Sequence, residues 1–97
     1  MCVKRTITWR PIQITDQIMG IEVKEIGTAF WLNDYENLCN VGMMSSGKPD
    51  IGSIHDGNNY TSIREWEFLK EHGFDIEDAV HKAMKELQKG SKGNWIE

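Results

Sequence analysis

Residues 60–90 read YTSIREWEFLKEHGFDIEDAVHKAMKELQKG, and this stretch decides the fold. Apolar residues in its second half recur at steps of three and four, which places them on one stripe of an α-helix. The stripe consists of Ile76, Ala79, Val80, Ala83, Met84 and Leu87. Asp75 before it is a suitable N-cap, and Gly90 after it is a suitable left-handed stop. The pattern therefore predicts an amphipathic helix between Asp75 and Gly90.

The first half of the stretch predicts a shorter helix that begins at Ser62. Glu65 stands three residues after Ser62, as a capping box requires. Gly73 and Phe74 fit the Schellman motif that ends many helices. Because the connection to the second helix is short, we predict an antiparallel helical hairpin over residues 61–90.

Two helices joined by a short turn are also compatible with a helix-turn-helix DNA-binding unit. In such a unit the start of the second helix enters the groove, and here that position holds Glu77 and Asp78. Carboxylates repel phosphates, and the net charge of −4 adds no attraction to nucleic acid. The sequence therefore disfavours nucleic acid as a partner.

Residues 1–44 alternate apolar and polar positions in the manner of β-strands, over segments 5–15, 20–26, 28–32 and 38–44. The alternation changes phase at Pro11, which indicates an edge strand or a bulge. The step from Ile26 to Gly27 is either a tight turn or a bulge in one long strand. Short connections favour an antiparallel sheet of three to five strands.

These elements predict one α+β domain over residues 1–90, with the helical hairpin packed on one face of the sheet. Residues 1–44 form the sheet, 45–60 a Gly-rich loop, 61–90 the hairpin and 91–97 a flexible tail. A chain of 97 residues with 39% hydrophobic residues is suited to one modest core.

The sequence contains no apolar run long enough for a membrane span, and its N-terminus lacks the apolar region of a signal peptide. We therefore expect a cytoplasmic protein that does not associate with membranes. Cys2 and Cys39 are then expected to be reduced thiols.

Residues 42–49 read GMMSSGKP and match the first seven positions of a phosphate-binding P-loop. Pro49 stands where a Ser or Thr should hold the magnesium ion, so we predict no nucleotide hydrolysis and no cofactor. Weak anion binding by Lys48 and the loop amides remains an alternative.

Two further patterns in the loop are weaker. Asp56 and Asn58 resemble the start of a calcium loop, but Thr61 replaces its obligatory glycine, so no metal site is predicted. His55 beside Asp56 would suit acid–base chemistry, yet such pairs in Gly-rich turns are more often solvated turn residues. No catalytic residue is predicted.

Aromatic residues give the strongest remaining indication of function. A helical hairpin covers only one face of a sheet, so the other face would expose Trp31 and the nearby Tyr35. Such rings are enriched at interface hot spots. They would contact a partner protein or a second copy in a homodimer, or would close the face of the domain itself.

The sequence thus predicts a non-enzymatic protein-binding module, such as a small inhibitor or accessory protein of the type that phages encode, which occludes its partner. The predicted partner-binding residues are Trp31, Tyr35, Lys48, Asp50, His55, Asp56 and Asn58. The alternative is a protein that binds a phosphate or nucleotide in the 42–59 loop, and a small enzyme ranks third.

Overall fold

The computed structural model describes residues 7–35, 37–54, 60–90 and 92–96. Its strands are β1 (Trp9–Gln13), β2 (Met19–Val23), β3 (Thr28–Leu32) and β4 (Leu38–Gly42). They form one antiparallel sheet in the order β1-β2-β3-β4. Two helices follow, α1 (Tyr60–Glu71) and α2 (Ile76–Gln88). The predicted α+β fold with a C-terminal helical hairpin is confirmed.

The connection between β2 and β3 is a tight turn, which decides between the two alternatives at Ile26 and Gly27. The Gly27 backbone N–H donates to the Val23 carbonyl over 2.8 Å, and Gly27 has a φ of 75°. Glycine adopts this left-handed conformation without the steric cost that a side chain imposes.

Strand β1 lies at the edge of the sheet, which explains how it accommodates Pro11. Trp9 exchanges both of its backbone hydrogen bonds with Ile96, over 2.9 and 2.6 Å, so its N–H and C=O face away from β2. Residues two apart on a strand direct their backbone groups to the same side, so the Pro11 nitrogen also faces away from β2. The N–H that proline lacks is therefore not needed for pairing with β2. No bond to β2 is lost there.

Residues 92–96 lie along this outer edge of β1. A Cβ atom on Gly93 would stand only 2.6 Å from the Pro11 carbonyl oxygen, and the guanidinium of Arg10 lies 5.0 Å from the centre of the Trp95 ring. The prediction of a flexible tail over 91–97 is therefore corrected for these residues, because backbone pairing at Ile96 docks them on the sheet.

The main core lies between the sheet and the helices. Helix α2 packs across β1 and β2, while α1 lies over β4. The predicted stripe of α2 faces the sheet, with Ile76, Ala79, Val80 and Ala83 buried; Leu87 is only half-buried. The largest fully buried side chains of this core are Phe30, Ile21, Leu38 and Leu69.

The predicted caps at the end of α1 and the start of α2 are present, whereas the predicted start of α1 is corrected. The Asp75 side chain accepts a hydrogen bond from the Asp78 backbone N–H at 3.1 Å, as predicted for an N-cap. The Phe74 N–H donates to the Leu69 carbonyl at 2.9 Å, which completes the predicted Schellman motif. However, α1 begins at Tyr60 instead of Ser62, so Glu65 lies beyond the first turn and contacts the sheet.

The second face of the sheet is covered by the chain's own loops. Its buried cluster consists of Ile12, Ile14, Ala29, Trp31, Cys39 and Val41, with Ile18, Met43 and Ile54 packed against it. Trp31 is only 5% exposed, so the prediction that this face exposes Trp31 is wrong. The prediction assumed that only helices cover a sheet face, whereas apolar residues of the loops bury this one.

The segment predicted as a Gly-rich loop contains ordered backbone pairing. Met43 and Pro49 form a β-bridge, and the Met44 N–H donates to the Lys48 carbonyl at 2.8 Å. A 3-10 turn over Ile51–Ser53 follows. This folding returns Ile54 to the sheet. Among the described residues, neither helix is long and apolar enough to cross a membrane.

Candidate functional site

A groove with a cavity volume of about 420 Å³ lies at the end of the sheet where β3 runs into β4. Apolar side chains form most of it, and polar groups lie on its rim. The end groove is lined by Gln17, Ile18, Met19, Trp31, Leu32, Asn33, Asp34, Ile54 and Met84. It brings together the β1–β2 turn, the β3–β4 turn, the loop before α1 and the second half of α2.

Side-chain hydrogen bonds hold both turns that flank the end groove. The Thr15 hydroxyl accepts the backbone N–H groups of Gln17 and Ile18, over 3.2 and 3.0 Å. The Asn33 side-chain oxygen accepts those of Tyr35 and Asn37, each over 2.9 Å. Such bonds are the reason why Thr and Asn favour turns. The rim of the groove is therefore pre-organised.

The lining suits non-covalent binding of an apolar group. Met19 and Met84 are unbranched and flexible, and such side chains adapt to irregular shapes at binding surfaces. Among the described lining residues Asp34 alone is ionisable, and it lies exposed on the rim. The groove thus offers apolar walls with one carboxylate at its mouth.

Tyr35 follows Asp34 directly and is 86% exposed. Its ring extends from the turn that Asn33 holds. Of the predicted partner-binding residues, the structure places Tyr35 beside the end groove and Trp31 in its wall. Trp31 is too deeply buried to act as the exposed contact that the sequence predicts.

Lys48 and Asp50 lie at the other end of the sheet, because they follow Gly42, which pairs with the first residue of β3. The Asp50 N–H donates to the Gly42 carbonyl at 2.8 Å, and the Asp50 carboxylate accepts the Ser53 hydroxyl at 2.9 Å. These two residues do not join Trp31 and Tyr35 in one site. The predicted contacts His55, Asp56 and Asn58, like Cys2, lie outside the described residues.

The P-loop match at residues 42–49 folds as a hairpin. The Met44 and Gly47 amides, which a phosphate cradle would present to its ligand, donate to the carbonyls of Lys48 and Met44 instead. Among the described residues, the first helical element after Lys48 is the 3-10 turn over Ile51–Ser53, which is too short to add a helix dipole. This geometry weakens the alternative of phosphate or nucleotide binding there.

Sequence reasoning missed a second cavity, of about 390 Å³, between α1 and the β2–β3 turn. We name it the Glu65 cleft, and its lining consists of Glu25, Ile26, Arg64, Glu65 and Phe68. The Glu65 carboxylate reaches from α1 to the sheet and accepts hydrogen bonds from the Thr28 hydroxyl at 3.0 Å and the Asn40 amide at 3.4 Å.

Burial raises the pKa of Glu65, although the hydrogen bonds from Thr28 and Asn40 act in the opposite direction. Thr28 and Asn40 occupy positions on adjacent strands that face α1. Buried polar groups need partners, so this polar pair within an apolar pattern was a signal that a polar residue of a helix would meet them.

The pKa of Glu65 makes the stability of the protein depend on pH. The folded state holds the Glu65 proton to higher pH than the unfolded state, whose carboxyl titrates near 4.5. The contribution of the protonated group is therefore fully present below about pH 4.5 and is lost as the pH rises through the folded-state pKa. Glu25 and Arg64 are the other ionisable residues among the described lining of the same cleft.

Glu65→Gln should remove this dependence because the amide does not titrate. We expect the free energy of unfolding of the wild type, relative to Glu65→Gln, to fall as the pH rises from 4 to 8. Urea melts over that range measure it. Glu67→Gln, at an exposed position of the same helix, is the control. Its free energy of unfolding should change with pH in parallel with that of the wild type. If the free energy of unfolding of Glu65→Gln also changed with pH in parallel with the wild type, Glu65 would not be the source of the pH dependence.

Comparison with known proteins finds no matching family model, no matching curated protein and no matching solved structure. Within the described part of the chain, no group of three or more His, Cys, Asp or Glu side chains is placed to hold a metal ion. The end groove, Tyr35 and the Glu65 cleft are therefore the candidate functional features of the described residues.

Proposed function

We propose that this chain is a non-enzymatic protein-binding module that contacts its partner through the end groove and Tyr35. The observation that supports this proposal is an almost fully exposed aromatic ring next to an apolar groove, with both turns of the rim held by hydrogen bonds. Tyrosine supplies a large contact area with few torsions to immobilise, which is why it is enriched at interface hot spots.

The occupant that fits best is a partner segment with an apolar side chain next to a cationic one. The apolar walls would bury the first, and Asp34 on the rim would attract the second. A cavity of about 420 Å³ lies within the range of small binding pockets and is suited to a few side chains. The net charge of −4 favours encounter with a basic partner.

Binding of this kind would serve an inhibitor or accessory protein that occludes its partner, and a cytoplasmic location belongs to the same proposal. The support is the small acidic domain and its one described cysteine, Cys39, a buried thiol whose Sγ donates to the Asn37 carbonyl. The groove is small enough that one segment of a partner would fill it, while Tyr35 would contact the surface around that segment.

The test uses a displayed library of random 12-residue peptides, selected against the purified protein. Selected peptides should combine an apolar residue with Lys or Arg. Tyr35→Ala should weaken them by about 2 kcal/mol, roughly 30-fold in Kd by calorimetry, because hot-spot aromatics contribute on that scale. Trp95→Ala is the matched control, since that ring is also exposed, at 43%, but lies on the edge of β1.

Methionine methyl groups report where the peptide binds. The ε-methyl resonances of Met19 and Met84 should shift on binding, whereas Met44, exposed in the hairpin at the other end of the sheet, should not. Equal affinity of the Tyr35→Ala variant, or shifts at Met44 alone, would refute the proposed site. Light scattering that shows a dimer, converted to a monomer by Tyr35→Ala, would make a second copy of the chain the occupant.

A further inference from the structure

The Glu65 cleft has the features of a site for a positively charged group on an apolar stem. Among the described residues, the hydrogen bonds to the Glu65 carboxylate come from neutral groups, the Thr28 hydroxyl and the Asn40 amide. A carboxylate accepts about four hydrogen bonds, and neutral donors compensate a half-buried charge only in part. The open side of the cleft is where a cation would complete this compensation.

The other lining residues indicate what shape that cation should have. Ile26 and Phe68 provide apolar walls, against which a chain of methylene groups would pack. Glu25 adds a second carboxylate, and its Oε1 accepts the Thr8 backbone N–H at 2.8 Å. Arg64 contributes one positive charge, so the described part of the lining carries a net charge of −1 when both carboxylates are ionised.

We propose that the Glu65 cleft binds the side chain of an arginine on a partner protein. A guanidinium is planar and donates two parallel hydrogen bonds to one carboxylate, and it loses hydration more readily than an ammonium group. The arginine stem matches the walls formed by Ile26 and Phe68. The proposal deepens the protein-binding function, on which it rests for the source of the arginine, and it concerns a cavity separate from the end groove.

Small probes test the cleft without knowledge of the partner. n-Butylguanidinium carries the charge and the stem of arginine, and n-butylurea has nearly the same shape without the charge. In a titration followed by amide NMR, n-butylguanidinium should shift Ile26, Glu65 and Phe68 with a Kd on the order of 1–10 mM, as expected for so few atoms. n-Butylurea should bind at least about tenfold more weakly, because it lacks the charge.

Three substitutions in the cleft and one control outside it make the test specific. Glu65→Gln should reduce the affinity for n-butylguanidinium at least about tenfold, and Glu25→Gln should reduce it severalfold, since each removes a negative charge. Arg64→Gln should increase the affinity about three- to tenfold, because it removes the cation that already lines the cleft. Glu67→Gln on the exposed face of α1 should change nothing. Glu25 and Arg64 lie exposed, so those two variants keep the test valid even if Glu65→Gln fails to fold.

Equal binding of n-butylurea and n-butylguanidinium would overturn the proposal, as would unchanged affinity in both the Glu25→Gln and Arg64→Gln variants. The tripeptide acetyl-Gly-Arg-Gly-amide distinguishes the source of the cation. It should bind at least as tightly as n-butylguanidinium, and a failure to bind would overturn the assignment to a protein side chain. Tyr35→Ala should leave all of these affinities unchanged, so failure of the cleft and failure of the end groove are separately visible.

Discussion

Trp31→Ala should lower the free energy of unfolding by about 3–5 kcal/mol, the usual range for removing a buried tryptophan side chain. Trp31 is 5% exposed and belongs to the cluster on the second face of the sheet, against which Ile18, Met43 and Ile54 pack. Truncation to alanine would leave a cavity beneath the loops that cover this face. The same cavity would open the wall of the end groove.

Urea or thermal melts measure this loss, and Trp95→Ala is the control. Trp95 is 43% exposed, so its truncation should affect stability far less. A loss of less than about 1 kcal/mol for Trp31→Ala would show that the second face is not closed in solution. Exposure of Trp31, as the sequence first suggested, would then become the better description.

Gly20→Ala should be nearly as damaging, with an expected loss of about 3 kcal/mol, at the upper end for overpacking. A Cβ atom at this position would overlap the Phe30 carbonyl oxygen and would lie 3.0 Å from its carbon. Both atoms belong to the backbone of β3, so a change of side-chain rotamer cannot relieve the contact. Strands β2 and β3 would have to separate or shift, which would disturb the centre of the sheet.

Gly42→Ala provides a matched control within the same sheet. No atom lies within 4 Å of a Cβ built on Gly42, so this variant should stay within about 0.5 kcal/mol of the wild type. Amide hydrogen exchange should also show faster opening of β2 and β3 in Gly20→Ala alone. Equal stability of the two variants would refute the close approach of β2 and β3.

The sequence predicted the helices and strands because their signals are local. The stripe of α2, its Asp75 cap and the Schellman motif at Gly73 and Phe74 depend on residues within a few positions of one another. Strand β3 and the start of β4 were predicted with their observed bounds, while the other strand ends differ by one to four residues. Strand ends depend on the pairing partner, and a single strand pattern does not contain that information.

Much of the candidate site depends on contacts between distant parts of the chain. The exposure of Tyr35 was predictable, because it stands in a turn cluster that Asn33 closes through its side chain. The Glu65 cleft was not, because Glu65 lies 37 residues from Thr28 and 25 from Asn40. An acidic residue early in a helix has the same local pattern whether it caps that helix or reaches a sheet.

By itself the sequence determined the element types, the antiparallel pairing of the strands and the face of α2 that packs on the sheet. At Pro11 it left an edge strand and a bulge as alternatives. Periodicity and capping depend on neighbouring residues, so both can be recognised in the sequence without knowledge of the fold. Only the tertiary structure decided that Trp31 is buried, that residues 92–96 dock on β1, and that Glu65 meets the sheet. Burial depends on which distant segment of the chain excludes water from a residue. The alternation of residues along a strand does not show whether a loop, a partner or solvent covers its face.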